Sequence, residues 1–360
     1  MRAALGVVVA ACAVTAVLPG AAAAETVASA DGPGARSAGV ERISVAADGT
    51  QADGNSAGAS ITPDGRHVVF SSSANNLTPD GTVADDRVYV RDQQSRHVKR
   101  IGALTPLQPP AISGDGAYVA YPVQWVRNVR IRQYQVSTGA TASVNCSSHS
   151  CNQPSLNADG RYTAHATLLN PPLTGQRIEV QDWNTGAKQT IADLGHTQSS
   201  RPSISGDGRH VAYQDGKAED VFVWDRTDGT TSGPIEGSAK GAALVQLSDD
   251  GSTVVYRSGS DTYVHDVSTG TAQLVPNARG VAIDPTGRYL LYAPHDTNGP
   301  SLTLRDLRTG TDEIVSDQPA SAGTDAVSAG GRDVVFQSAA EDIVPGDTNG
   351  KADVFVRHFP

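Results

Sequence analysis

Ser203-Ile-Ser-Gly-Asp-Gly-Arg-His-Val-Ala-Tyr213, continued after the polar residues 214–220 by Val221-Phe-Val-Trp-Asp225, decides the fold. Its first two apolar runs are strand-length and meet at Asp207-Gly208. An Asp-Gly pair between such runs marks a hairpin, because Gly accepts positive φ without a steric penalty. The third run ends on Asp225, and Arg226-Thr-Asp-Gly229 follows. An aspartate there accepts N–H groups from the residues after it, while Gly closes the next turn.

This unit repeats along the chain. Its turn glycine recurs at Gly65, Gly116, Gly160, Gly208, Gly251, Gly287 and Gly331, at a mean interval of about 44 residues. That is the length of one propeller blade of four short strands. The aspartate closing the third strand recurs as Asp92, Asp182, Asp225, Asp266 and Asp306, with Gln135 in the second copy and His358 in the last. Fourth strands are expected at 140–145, 187–192, 271–275 and 311–316, least clearly at 230–235. A lone strand, 40–46, precedes the first copy, and the chain ends on a third strand, 353–359. In a ring, the first would complete the last blade and remove the open sheet edges. No segment combines a 3.6-residue period with caps. The expected fold class is all-β: a β-propeller of seven four-stranded blades closed by the N-terminal strand, or six if the weak second copy is displaced.

Composition agrees. Of 360 residues only 18% are charged and 5% aromatic, while 37 are Gly, which suits many tight turns. The formal charge is −10 and no Lys/Arg cluster stands out, so no nucleic-acid partner is expected. Arg2, the apolar run 3–18, Pro19-Gly20 and Ala22-Ala23-Ala24 read as an export signal over 1–24, with a flexible lead-in over 25–39 and the propeller over 40–360. No later segment is apolar enough to span a membrane. Val9-Ala-Ala-Cys12 loosely resembles a lipidation box, but the apolar run continues past it. Cleavage leaves Cys146 and Cys151, an even pair expected to form a disulfide contributing about 2 kcal/mol by loop entropy.

Ser205-Gly-Asp-Gly-Arg-His-Val-Ala-Tyr213 resembles the S-x-D-G-R-x-[IV]-[AV]-[FY] signature of TolB-like propeller repeats, which are related in style to WD-type repeats. The tail Asp342-Ile-Val-Pro-Gly-Asp-Thr-Asn-Gly-Lys-Ala-Asp-Val-Phe-Val-Arg357 is similar to a segment of secreted actinobacterial members. The resemblance covers residues 40–360 and implies fold more than function. TolB carries an α/β domain before its propeller; 25–40 leaves no room for one, so membership of the TolB envelope system is not expected.

The repeated aspartates read as turn formers, not catalytic carboxylates. There is no G-x-S-x-G elbow and no H-E-x-x-H, so no catalytic residue is assigned. His67 and His210 share one repeat position and read as strand residues, and His149 lies in the cysteine loop. Asp347, Asn349 and Asp353 in D-x-N-G-x-x-D are the candidate metal ligands, for calcium, which takes several oxygens around a tight Gly turn. The fragment His295-Asp-Thr-Asn-Gly299 lacks the closing Asp. Trp125, Trp183 and Trp224 are stacking or core candidates, with Trp183 expected to be the exposed one. No other cofactor is expected. The sequence thus predicts an exported monomer that binds a protein, peptide or glycan without catalysis. The alternative is an extracellular hydrolase or lyase working at the propeller channel.

Overall fold

The computed structural model describes residues 39–79, 85–144, 146, 150–169, 175–191, 198–216, 219–237, 241–295 and 299–360. The signal segment 1–24, the lead-in up to residue 38, His149 and residues 296–298 lie outside them.

Blades 1 to 6 occupy 56–101, 111–143, 151–190, 199–232, 243–275 and 278–316, each a four-stranded antiparallel sheet in sequential order. Strands are lettered A to D from the channel outward. The seventh blade joins Asp333–Ser338 and Asp353–His358 to the N-terminal strand Gly39–Arg42. Its A position is held by a bridge from Val327 to Val334. Gly39 pairs with His358 and Arg42 with Phe355, so the ring closes as expected, with seven blades. The weak copy at 230–235 yields only a two-residue D strand, Thr231–Ser232. No α-helix occurs among the described residues; a 3-10 turn, Ala329–Gly331, stands at the last A–B turn.

One hydrogen bond repeats in all seven blades and explains the turn signature. The side chains of Thr62, Ser113, Asn157, Ser205, Ser248, Asp284 and Ser328 each accept the N–H five residues on. The turn aspartate meanwhile accepts the N–H two residues after it, as Asp64 does from Arg66 and Asp207 from Arg209. The aspartate ending strand C caps the following turn: Asp92 takes Gln94 and Ser95 N–H, Asp182 takes Asn184, Asp225 takes Thr227, Asp266 takes Ser268 and Asp306 takes Arg308.

The turn arginine then clamps that aspartate. Arg66 lies 2.9 Å from Asp92, Arg161 2.9 Å from Asp182, Arg209 2.7 Å from Asp225 and Arg288 2.6 Å from Asp306. Arg161 holds the Asp182 carboxyl down at about 2, and Arg209 does the same for Asp225. The departure at Gln135 now has a reason. In blade 2 the arginine position is Ala117, so both halves of the clamp are missing together. His67 and His210 lie 3.6 Å from Asp92 and Asp225, as strand residues of the same unit.

The core lies within and between blades. Aromatic pairs stack across strands B and C in five of them: Phe70–Tyr89, Tyr121–Tyr134, Tyr213–Phe222, Tyr256–Tyr263 and Phe336–Phe355, with ring centroids 5.2–5.8 Å apart. Trp224 is buried in the core of blades 3 and 4. Trp183, expected to be exposed, is half-buried: it packs against the apolar cluster of Ala120, Ile131, Val144 and the two cysteines and donates its Nε1–H to Thr163. No helix among the described residues is long and apolar enough to cross a membrane.

Blade 3 also buries a polar chain. Thr167 Oγ1 lies 3.1 Å from Nδ1 of the fully buried His165 and donates to Glu179, which also accepts from Arg177 and Lys188. Burial drives the His165 pKa from 6.5 to about 4, only partly offset by Glu179. Between those values the unfolded chain binds a proton and the folded chain does not. Stability therefore falls as pH drops through this window, by ~3 kcal/mol from this residue. Urea titrations at neutral pH and near the folded pKa should show a smaller acid loss in His165→Gln than in the wild type. Equal losses would remove His165 from the pH dependence.

The B–C hairpin of blade 2 is the longest, Tyr118–Trp125 against Asn128–Gln135. Its tip holds Val126 at φ 54° and 85% exposed. A β-branched residue is strained there, whereas Asn tolerates the conformation. Val126→Asn should raise stability by about 1 kcal/mol, read as an upward shift of the denaturation midpoint at unchanged m.

Candidate active site

Strand A of each blade begins at one mouth of the channel, and the B–C loops open on the same face. The opposite face carries the recurring turns after strands A and C, including the Asp-Gly and D-x-x-T-G turns.

Five A strands break register there: between Ala57 and Ser60, Asn152 and Ser155, Ser200 and Ser203, Leu244 and Gln246, and Gly280 and Ala282. Bulges of this kind re-aim side chains and cluster next to active sites. Gly58, Gln153, Arg201 and Asp325 take positive φ of 65°, 55°, 53° and 56°. For the three non-glycines this costs ~1 kcal/mol or more each. Side-chain amides of neighbouring segments compensate. Gln337 accepts the Gly58 N–H, Gln108 that of Gln153, Gln153 that of Arg201, and Gln246 that of Asp325. Gln246 also donates to the Asp325 carboxylate at 2.6 Å.

Two adjoining cavities result. One, of about 390 Å³, lies over the channel and is walled by Gln108, Gln153, Arg201, Thr324 and Asp325. The other, of about 270 Å³, extends toward blades 5 and 6 and carries Arg201, Arg257 and Arg279. None of these three arginines has an ion-pair partner among the described residues, and Arg257 Nε is buried without a hydrogen bond. Burial, then the charges of Arg279 and Arg201, pull the Arg257 pKa below its ordinary value. Three uncompensated guanidiniums in a concave surface form a ready binding site for carboxylate or phosphate.

Deeper in the channel are two carboxyls with raised pKa. Burial lifts Asp325 to about 6. Burial, then repulsion from Asp325, lifts Asp249 to about 7. Both line the same narrow channel segment. Asp325 also faces the cavity that holds Arg201, so an anion-binding group and a proton-transfer group share one wall.

The sequence pointed to none of Arg201, Arg257, Arg279 or Asp325. Each stands where one copy departs from its siblings at the start or end of a strand, and only the ring brings these departures together.

The sequence-derived metal candidates lie elsewhere. Asp347, Asn349 and Asp353 gather at the clasp of the ring, around Arg42. Its guanidinium is 2.9 Å from Asp347 and 3.5 Å from Asp353. Asp353 also accepts from the Ser44 hydroxyl and from Asn349 at 2.8 Å. Arg42 thus supplies the positive charge that calcium would bring.

No family model matches the chain, and no curated protein sequence does. Solved structures do. An oligogalacturonate lyase in complex with manganese is 16% identical, with TM-score 0.65 over 89% of this chain and 93% of that one. An oligogalacturonate lyase from Vibrio parahaemolyticus is 14% identical, with TM-score 0.66 over the same shares, 89% and 93%. A TolB from Acinetobacter baumannii is 17% identical, with TM-score 0.47 over 72% of this chain and 62% of that one.

Two matches that are enzymes, each over 89% of this chain and 93% of the other, correct the expectation of a non-catalytic binding or scaffold module. A propeller of this size and order does carry catalysis, and the lack of a local catalytic motif does not count against it. The site's chemistry does not suit the manganese of that lyase. Three arginines around one cavity repel a divalent cation, and no cluster of three His, Cys, Asp or Glu suited to a metal occurs among the described residues. By fold, the chain is a seven-bladed, all-β propeller, similar in architecture to those two lyases.

Proposed function

We propose that the protein is an extracellular lyase that cleaves a carboxylate-bearing polysaccharide at the channel mouth. The observation carrying this reading is the group of arginines without an ion-pair partner among the described residues, Arg201, Arg257 and Arg279, of which Arg201 also shares a cavity wall with Asp325. The two structural matches act on oligogalacturonate by name, which is a polymer of that class. Export by the N-terminal segment would place the enzyme with such polymers, and the Cys146–Cys151 disulfide fits an oxidising compartment.

The chemistry follows from the charges. A guanidinium paired with the uronate carboxylate withdraws electron density and acidifies the adjacent C5–H. Asp325, ionised above about pH 6, takes that proton. The C4–O bond breaks, a C4–C5 double bond forms, and the leaving oxygen acquires a proton, so the step is balanced without an oxidant. The bidentate fork of Arg201 fixes the sugar against Asp325.

Incubation with oligogalacturonate and with polymannuronate tests this, by following the absorbance of the unsaturated product. A rise with either substrate is the expected result. No product from either, together with no binding of either by calorimetry, would sink the reading.

A further inference from the structure

A third cavity, of about 250 Å³, lies on the opposite face, between the outer strands of blade 2 and the turns of blade 3. It exists because of the departures at Gln135 and Trp183. At the equivalent junction of blades 3 and 4, the position after the strand-C aspartate is Arg226. That side chain stacks on Tyr162 at 4.1 Å, bonds the Gly208 carbonyl and donates to Gln189 at 2.9 Å, which plugs the cleft. At the blade 2–3 junction the same position is Trp183. Strand pairing puts Ala142 where Gln189 stands, since Ala142 faces Gln133 as Gln189 faces Val180. The plug and its anchor are both gone.

What remains is a pocket with aromatic walls and a polar rim. Trp183 and Tyr118 supply the walls. Tyr118 lies so close to Gly160 that a Cβ there would fall 2.4 Å from its ring. The Nε1–H of Trp183 is tied to Thr163, which fixes the ring. Gln135, Asn184, Asp159 and Arg161 complete the lining. Arg161 is neutralised by Asp182 at 2.9 Å, so no cation is free to attract an anion. A fixed aromatic wall with amides and one carboxylate suits a ring that is apolar on its face and hydroxylated at its edge.

We propose that this cleft binds one unit of a neutral glycan, its face against Trp183 and its hydroxyls on Gln135, Asn184 and Asp159. The site is chemically distinct from the cationic mouth and does not depend on the lyase reading. It would hold the protein on a neutral polymer while the other face remains free.

Calorimetric and NMR titration with cellotetraose and with maltotetraose is the test. Millimolar binding of at least one is expected, with shifts at Trp183. Ala142→Gln, and the double variant Ala142→Gln/Trp183→Arg that copies the neighbouring plug, should weaken it roughly tenfold or more. Thermal unfolding checks that both variants fold, and Ala142 is exposed, so Ala142→Gln disturbs no core. Failure of both tetrasaccharides to bind, or undiminished binding in folded Ala142→Gln, would overturn the proposal.

Discussion

Replacing Arg201 with Gln is expected to cut kcat/KM on a uronate polymer by about two to three orders of magnitude, the usual cost of losing one oriented electrostatic contact to developing charge. The backbone at residue 201 should survive, because Gln153 still accepts its N–H. Arg201→Lys should recover part of the loss, since a point charge replaces a fork. Arg279→Gln should raise KM more than it lowers kcat, because Arg279 does not line the cavity that holds Asp325. The acid limb of kcat/KM should fall near pH 6, where Asp325 protonates, and Asp325→Asn should leave too little activity to show that limb. Steady-state kinetics on folded variants decides. Arg201→Gln and Asp325→Asn both within about twofold of wild type would remove the mouth from the mechanism.

Asp353→Ala should be the most damaging substitution for stability. Asp353 is fully buried and shares Arg42 with Asp347, while Ser44 and Asn349 donate to it. Its removal leaves the buried Arg42 guanidinium with half its counter-charge and two donors without an acceptor. Such a loss costs ~3–5 kcal/mol, a fall on the order of 10 °C in Tm for a chain of this size. The location magnifies the effect. Arg42 ends the N-terminal strand and Asp353 begins the C-terminal one, so the pair clasps the only seam in the ring. Because Arg42 already supplies the positive charge, millimolar calcium should not raise the wild-type melting temperature. A calcium-dependent rise would restore the metal reading of Asp347, Asn349 and Asp353.

Different forces made the fold readable and the site unreadable. Asp-Gly turns, strand-C aspartates and seven Ser/Thr/Asn/Asp acceptors act within one blade over a few residues, so each leaves a local mark in most copies. The orphan first strand told of closure for the same reason: a strand without a neighbour must find one. Even the clamp of Arg209 on Asp225 had a trace, since Ala117 and Gln135 depart together in the second copy. Trp183 was misjudged because the apolar cluster it packs against comes mainly from the preceding blade, through Ala120, Ile131 and Val144.

The sequence by itself determined the blade and its repeat through hydrogen bonds between near neighbours, the closing strand through unpaired edges, and the cysteine pair through an even count five residues apart. Only the tertiary structure decided where chemistry can occur. Arg201 from blade 4, Arg257 from blade 5, Arg279 from blade 6 and Asp325 from the seventh are separated by 22 to 56 residues along the chain. The ring sets them around one opening, where three guanidiniums face one cavity and burial raises the Asp325 carboxyl pKa. The stretch around Asp207 and Asp225 builds the frame. The chemistry sits at the ends of strands, where each copy differs from it.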